Sequence, residues 1–341
     1  MQLSYGHAII SAMKVSELGE FGLISRLAAI TGKLADERLL IGIGDDAAVW
    51  KSERSIQLAT IDSFTEGIHF PPGIASWEEL GWKALAVNLS DIAAMGGIPS
   101  YALVSLSLPD NSNVEDVTAL YQGMIDLAKS AGVVIAGGDT CRAPLVSVTI
   151  TVIGAAKNGN LLTRSAARAG ELIAVTGYLG SAAAGFELLT RQLKLDTETT
   201  TYLRNAFLRP VPRLAEGQLL AEHGIKTAID ISDGLVADLK HVCQASQVSA
   251  RVNIDLLPVH PAVKTNFAEK WQEMALSGGE DYELLFTGSS ECIEKIKQTA
   301  ACPITVIGEI TAGKAGALTL IDNQGNKVNI NKSGWEHFTT S

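Results

Sequence analysis

The stretch SWEELGWKALAVNLSDIAAMGG, residues 76–97, sets the architecture of this chain. Ser76-Trp77-Glu78-Glu79 is a capping box that opens a helix, and Gly96-Gly97 followed by Pro99 closes it. At about 100° per residue, Asp91 falls between Leu80, Ala84 and Val87 on a stripe that is otherwise apolar. A carboxylate there is a candidate buried ligand. Upstream, residues 55–62 alternate, so that Ile56, Leu58, Thr60 and Asp62 share one face if extended. Downstream, the pattern predicts a strand over 101–108, a helix over 114–131, a short buried strand over 133–136 and another strand over 145–155. Strands and helices interleave, which gives an α/β class with α+β mixed sheets.

The mix repeats after Lys157-Asn158-Gly159-Asn160, a polar, turn-forming segment that predicts a boundary between two halves. Expected strands lie at 172–175, 228–231, 251–254, 283–286 and 304–307, and helices at 181–193, 213–223, 235–246 and 292–300. A first helix is expected over 16–31. The predicted division is a disordered extension over 1–12, an N-terminal domain over 13–157 and a C-terminal α/β domain over 158–341. With 341 residues, 47% hydrophobic and 19% charged, the chain is long enough for two cores. A formal net charge of -10 with no Lys/Arg-rich block argues against nucleic acid or an anionic membrane as partner. The four cysteines are far apart with no C-x-x-C pair, which suggests neither zinc nor a disulfide framework. The expected location is the cytoplasm.

Further acids end apolar runs beside glycine, in Gly44-Asp45-Asp46, Thr60-Ile61-Asp62, Gly137-Gly138-Asp139 and Asp230-Ile231-Ser232-Asp233-Gly234. Carboxylates stripped of water must be paired, protonated or metal-bound. Converging carboxylates without His or Cys clusters favour magnesium over zinc. Two phosphate-loop patterns fail. Gly42-Ile43-Gly44-Asp45-Asp46-Ala47 fits G-x-G-x-x-A, but two aspartates in a bare phosphate loop would repel a pyrophosphate. The segment from Gly308 to Ala315 places Ala315 where a P-loop needs Ser or Thr, and a strand follows it.

Taken together, Gly44-Asp45-Asp46-Ala47-Ala48, Asp62-Ser63-Phe64-Thr65-Glu66-Gly67-Ile68-His69-Phe70, Asn88 to Gly96, Gly137-Gly138-Asp139-Thr140, Asp230 to Leu235 and Ser277-Gly278-Gly279-Glu280-Asp281-Tyr282-Glu283-Leu284 resemble the thiamine-monophosphate kinase family. That family lies within the wider superfamily of aminoimidazole ribonucleotide synthetases. The resemblance implies a two-domain fold whose N-terminal strands form a dimer barrel. It implies ATP-dependent phosphorylation of thiamine monophosphate to thiamine diphosphate, with several Mg2+ ions and a homodimer. Carried over by position, Asp46, Thr60, Ile61 (through its backbone), Asp62, Asp91, Asp139, Asp230 and Asp233 look like magnesium ligands. Gly138, Asp139, Arg164 and Ser232 look like ATP contacts, and His69, Glu280 and Trp335 look like contacts to the thiamine phosphate. His69 also fits a packed histidine, and Trp335 a ring that closes the second core. The roles of Asp45 and Asp281 stay open. Rival readings are another ATP-dependent enzyme of the superfamily, or a non-catalytic nucleotide- or metal-binding protein.

Overall fold

A computed structural model describes residues 37–52, 55–329 and 334, together with Phe21, Gly22, Ile24 and Ser25. The expected extension over 1–12, most of the helix expected over 16–31, and Trp335 lie outside the described residues. Residues 38–335 form one compact unit, to which the following description refers.

The first half contains β1 (Leu39–Ile41), β2 (Ala48–Lys51), β3 (Ile56–Thr65), α1 (Trp77–Ala94), β4 (Gly97–Leu108), α2 (Val114–Ala131), β5 (Val134–Arg142) and β6 (Ser147–Ala156). Its six strands form one sheet in the order β1-β2-β3-β6-β4-β5, antiparallel except for the β4–β5 pair. After a 3-10 turn at Lys157–Gly159 the second half runs β7 (Leu172–Thr176), α3 (Ser181–Thr190), α4 (Thr197–Leu208), α5 (Leu214–Glu222), β8 (Thr227–Asp230), α6 (Leu235–Ala245) and β9 (Ser249–Asn253). It continues with α7 (Pro261–Asn266), α8 (Trp271–Ser277), β10 (Leu284–Gly288), α9 (Ser290–Thr299), β11 (Ile304–Thr311) and β12 (Leu318–Ile321). These strands make a second sheet, β12-β9-β11-β7-β10-β8, in which β9 and β12 are the parallel pair. The fold is two domains, each with a mixed sheet.

Helix α1 is the element that joins them. Its capping box forms as the sequence predicts, Ser76 Oγ accepting from Glu79 N–H and the Glu79 carboxylate accepting from Ser76 N–H. Fourteen of its 18 residues are buried, so it is not a one-stripe surface helix but a core helix covered on several sides. Leu85, Leu89 and Ile92 are fully buried, each worth about 1.5–3 kcal/mol in apolar transfer. Glycine makes close helix contact possible: a Cβ on Gly81 would sit 1.8 Å from the Leu120 carbonyl oxygen, and one on Gly123 equally close to that of Glu78. The last turn of α1 leaves the first core, and Ala93 and Ala94 pack with Leu220, Ala221 and Phe286 of the second half. That placement carries Asp91 to the end of β8.

One expectation needs correction. The strand expected as short and buried at 133–136 is a nine-residue edge strand, β5, exposed along most of its length. It pairs with β4 alone, so the apolar run that looks like a core strand flanks one only at Val133, which is buried. Helix α4 has no counterpart in the sequence reading. Its polar run Thr197-Glu198-Thr199-Thr200-Thr201 has poor helix propensity, yet Asp196 caps it by accepting from Thr199 N–H at 2.9 Å, and Leu203, Phe207 and Leu208 anchor it in the core.

Candidate active site

Three carboxylates converge from separate parts of the chain. Asp46 lies in the loop before β2, Asp91 in the last turn of α1 and Asp230 at the end of β8, and one oxygen from each lies within 4.8 Å of the others. Asp46 and Asp230 are buried and Asp91 is half-buried. Unit charges at that spacing repel by about 3 kcal/mol per pair at an effective dielectric near 20. The surroundings show how the fold tolerates them. Thr60 Oγ1 donates to Asp91 at 2.5 Å, Ser90 Oγ donates to Asp230 at 2.7 Å, and Arg164 forks onto Asp46 through Nε at 3.1 Å and Nη2 at 2.5 Å. Asp62 shares a side-chain hydrogen bond with Asp91, and its backbone N–H donates to the buried Asn88 side chain at 3.1 Å.

Protons take up the remaining repulsion. Burial, and then the Asp46 charge, push Asp230 up to about 8. Burial and the charges of Asp62 and Asp230 lift Asp91 well above the carboxylate range. Asp45 rises to about 6, from burial and then its neighbour Asp46, while its oxygens accept from the Asp46 and Arg164 backbone N–H groups. Asp45 therefore ties the Asp46 loop to residue 164. All-oxygen donors with this much surplus negative charge fit a hard divalent cation such as magnesium.

The other predicted positions divide. His69 is half-buried, its Nδ1 accepting from Thr65 N–H at 3.0 Å, and its charge reaches Asp62. Asp233 and Ser232 lie in the turn after Asp230. Asp139 and Gly138 stand apart from the trio. Strand pairing sets Asp139 in a row with Ser105, Thr149 and Ser63, on the outer face of the first sheet. Thr60 and Asp62 alternate to the inner face, and three strand spacings separate β5 from β3, about 14 Å. A single chain thus does not bring Asp139 to the carboxylates. Gly138 is demanded by packing, because a Cβ there would meet the Val104 carbonyl oxygen at 1.8 Å. A cavity of about 820 Å³ between Arg168, His223, Lys226 and Ser289 in the second half is lined by none of these residues.

Two family models match the chain: AIR synthase related protein, N-terminal domain, over residues 44–156, and its C-terminal domain over residues 168–321. Over 331 residues the chain is 38% identical to thiamine-monophosphate kinase of Bacillus subtilis (strain 168), covering 94% of this chain and 100% of that one. It belongs to the thiamine-monophosphate kinase family. The Escherichia coli (strain K12) member of this enzyme family is also 38% identical, over 94% of this chain and 99% of its own. A solved structure of AaThiL complexed with AMPPCP and TMP superposes with a TM-score of 0.83 at 33% identity, covering 96% of this chain and 99% of that one.

Within this kinase family fold, two site features escape the sequence reading, Lys83 and Asp238, and the role it leaves open for Asp281 becomes visible. Lys83 is fully buried on α1, two turns before Asp91, and its ammonium lies 2.8 Å from Glu280. Its spacing of eight from Asp91 places it on the same stripe, which was the available signal. Asp238 is buried and its carboxylate accepts from the backbone N–H of Asp233 (3.2 Å) and Gly234 (3.1 Å), fixing the turn that bears Asp233. Asp281 accepts from Gly180 N–H at 2.7 Å and Ala182 N–H at 3.1 Å, so it caps α3, and burial raises it to about 7.

A pH dependence follows. An acid whose folded pKa is raised holds its proton more tightly when folded, so its contribution to stability declines as pH climbs from about 4 towards the folded value. For Asp230 that window ends near 8. Measured against Asp230→Asn, the cation-free protein is expected to lose melting temperature between pH 5 and pH 8. Added magnesium should recover it at pH 8 far more than at pH 5, where protons hold the site. Equal recovery at both values in a thermal melt would remove the trio as the cation site.

Proposed function

We propose that the protein transfers the terminal phosphoryl group of ATP to the phosphate of thiamine monophosphate, giving thiamine diphosphate and ADP. The carrying observation is the carboxylate trio, assembled from both halves of a fold whose relative is solved with an ATP analogue and TMP. One P–O bond breaks at the leaving ADP oxygen as one forms to the acceptor phosphate oxygen, and no enzyme nucleophile is needed.

Asp46, Asp62, Asp91 and Asp230, with the Thr60 hydroxyl, are the residues that would hold Mg2+, with Asp233 and the Ile61 backbone at the margin. Bound there, several ions would neutralise phosphate charge and align donor with acceptor. Arg164 offers a guanidinium fork of the kind that matches a phosphate, and at present spends it on Asp46. Gly138, Asp139 and Ser232 complete the proposed ATP contacts, and His69, Glu280 and Trp335 the acceptor contacts. A role for Asp139 asks for a nucleotide long enough to reach the outer face of the sheet.

A homodimer through the first sheet is part of this reading. Its outer face exposes Ile61 of β3 and Tyr101 and Leu103 of β4, with Ile61 and Leu103 on either side of Thr151 in the intervening β6. Cytoplasmic action accords with four free cysteines and, among the described residues, no helix long and apolar enough to cross a membrane.

The test is direct. Purified protein with ATP, magnesium and thiamine monophosphate should yield thiamine diphosphate, identified by mass spectrometry. Nucleotide binding without turnover, or product formed only from another acceptor, would overturn the assignment.

A further inference from the structure

Lys83 is an unusual place to leave a charge. Its side chain is wholly buried, its ammonium sits 3.5 Å above the centroid of the Phe207 ring, and its one ion-pair partner among the described residues is Glu280 at 2.8 Å. That contact is an ion pair without aligned hydrogen-bond geometry, so the three N–H donors are poorly satisfied. Burying an ammonium this way is destabilising unless its partner compensates. A Met or Leu would pack this position without the penalty, which marks the charge as serving something other than stability.

Glu280 is the other half of the arrangement. Its backbone has φ of +59°, in the left-handed region that side chains rarely adopt. Hydrogen bonds impose that conformation: Glu280 N–H donates to the Ser232 carbonyl at 2.7 Å, and Tyr282 N–H to that of Ile231 at 2.9 Å. The segment is therefore pinned to the end of β8, beside Asp230. The Glu280 side chain is 33% exposed, so one side of its carboxylate meets Lys83 while solvent reaches the other. Lys83 precedes Asp91 by eight residues on one face of α1, an axial distance of about 12 Å.

We infer that Lys83 is a positioning residue: it fixes the Glu280 carboxylate so that the free oxygen receives an N–H group or positive charge of the acceptor substrate's heterocycle. This rests on the proposed phosphorylation of thiamine monophosphate and assigns the part of that site that receives the heterocycle. Lys83 touches no substrate. It acts by limiting Glu280 to one rotamer.

The test is steady-state kinetics on full-length wild type, Lys83→Met, Glu280→Gln and the double variant, varying each substrate in turn. Lys83→Met should raise KM for thiamine monophosphate about tenfold or more while KM for ATP and kcat stay within about twofold, the pattern of lost acceptor binding alone. Glu280→Gln should raise the same KM comparably, and the double variant should be no worse than the worse single one, because the two residues act as a unit. An unchanged acceptor KM in Lys83→Met, a parallel rise in both KM values, or singles whose effects multiply would overturn the role. Should Lys83→Met fail to fold, Glu280→Gln decides alone, and an unchanged acceptor KM there overturns the proposal. Wild-type protein without turnover defeats the kinase reading and this inference with it, whereas an active wild type beside a normal Lys83→Met defeats the inference only.

Discussion

Replacing Asp91 by asparagine is expected to lower turnover by about 10²–10³-fold, the scale on which removing one group that stabilises transition-state charge acts. The same change should raise the melting temperature of the cation-free protein at pH 8. Asparagine is nearly isosteric and keeps an oxygen for the Thr60 hydroxyl, which now donates to Asp91 at 2.5 Å. It also relieves the repulsion that Asp62 and Asp230 exert on Asp91, a gain of about 1–3 kcal/mol. Activity and stability thus move in opposite directions. Added magnesium should stabilise the variant much less than the wild type. An Asp91→Asn protein that loses both activity and stability would make Asp91 a structural hydrogen-bonding group, and one that retains activity would remove it from the cation site.

The second large effect concerns stability. Arg213 grips Glu283 through Nε at 2.6 Å and Nη2 at 2.5 Å, and Thr176 Oγ1 donates to the same carboxylate at 2.6 Å. Their side chains are 20% and 8% exposed. Gly177 makes room for the cluster, since a Cβ there would lie 2.0 Å from Glu283 Oε1. Glu283→Ala strands the guanidinium in this pocket and is expected to cost about 3–5 kcal/mol, as breaking one partner of a buried pair does. That is a large share of a typical stability of about 5–15 kcal/mol. Arg213→Met with Glu283→Leu removes both charges and should recover much of the loss. Denaturant unfolding measures both, and a Glu283→Ala cost below about 1 kcal/mol would show the pair to be solvated. The consequence reaches the site, because Arg213 immediately precedes α5, whose Gly217 abuts Ala93 of α1, while Glu283 ends the segment that carries Glu280.

Much of this molecule is legible in its residues. The capping box before α1, the alternation of β3 and the glycine punctuation are local signals, and local signals fix element type because they depend on nearest neighbours along the chain. Asp46, Asp62, Asp91 and Asp230 stand out for the same reason, as carboxylates ending apolar runs. Where local patterning is weak, as in the threonine-rich start of α4, packing by Leu203 and Phe207 decides instead. Lys83 hides because a single lysine among apolar residues reads as a surface boundary of an amphipathic helix, whereas α1 has almost no exposed face.

The sequence by itself determined the α/β class, the sites of the acids and, by resemblance, the family. Tertiary structure alone decided which acids meet. Asp91 and Asp230 lie 139 positions apart along the chain, and they come together because Ala93 and Ala94 are small enough to bury the end of α1 in the second core. Asp139 parts from them because strand alternation turns it to the other face of the sheet. The pairing of Arg164 with Asp46 and of Lys83 with Glu280 is equally non-local, since an ion pair depends on distance in space and not on spacing in sequence.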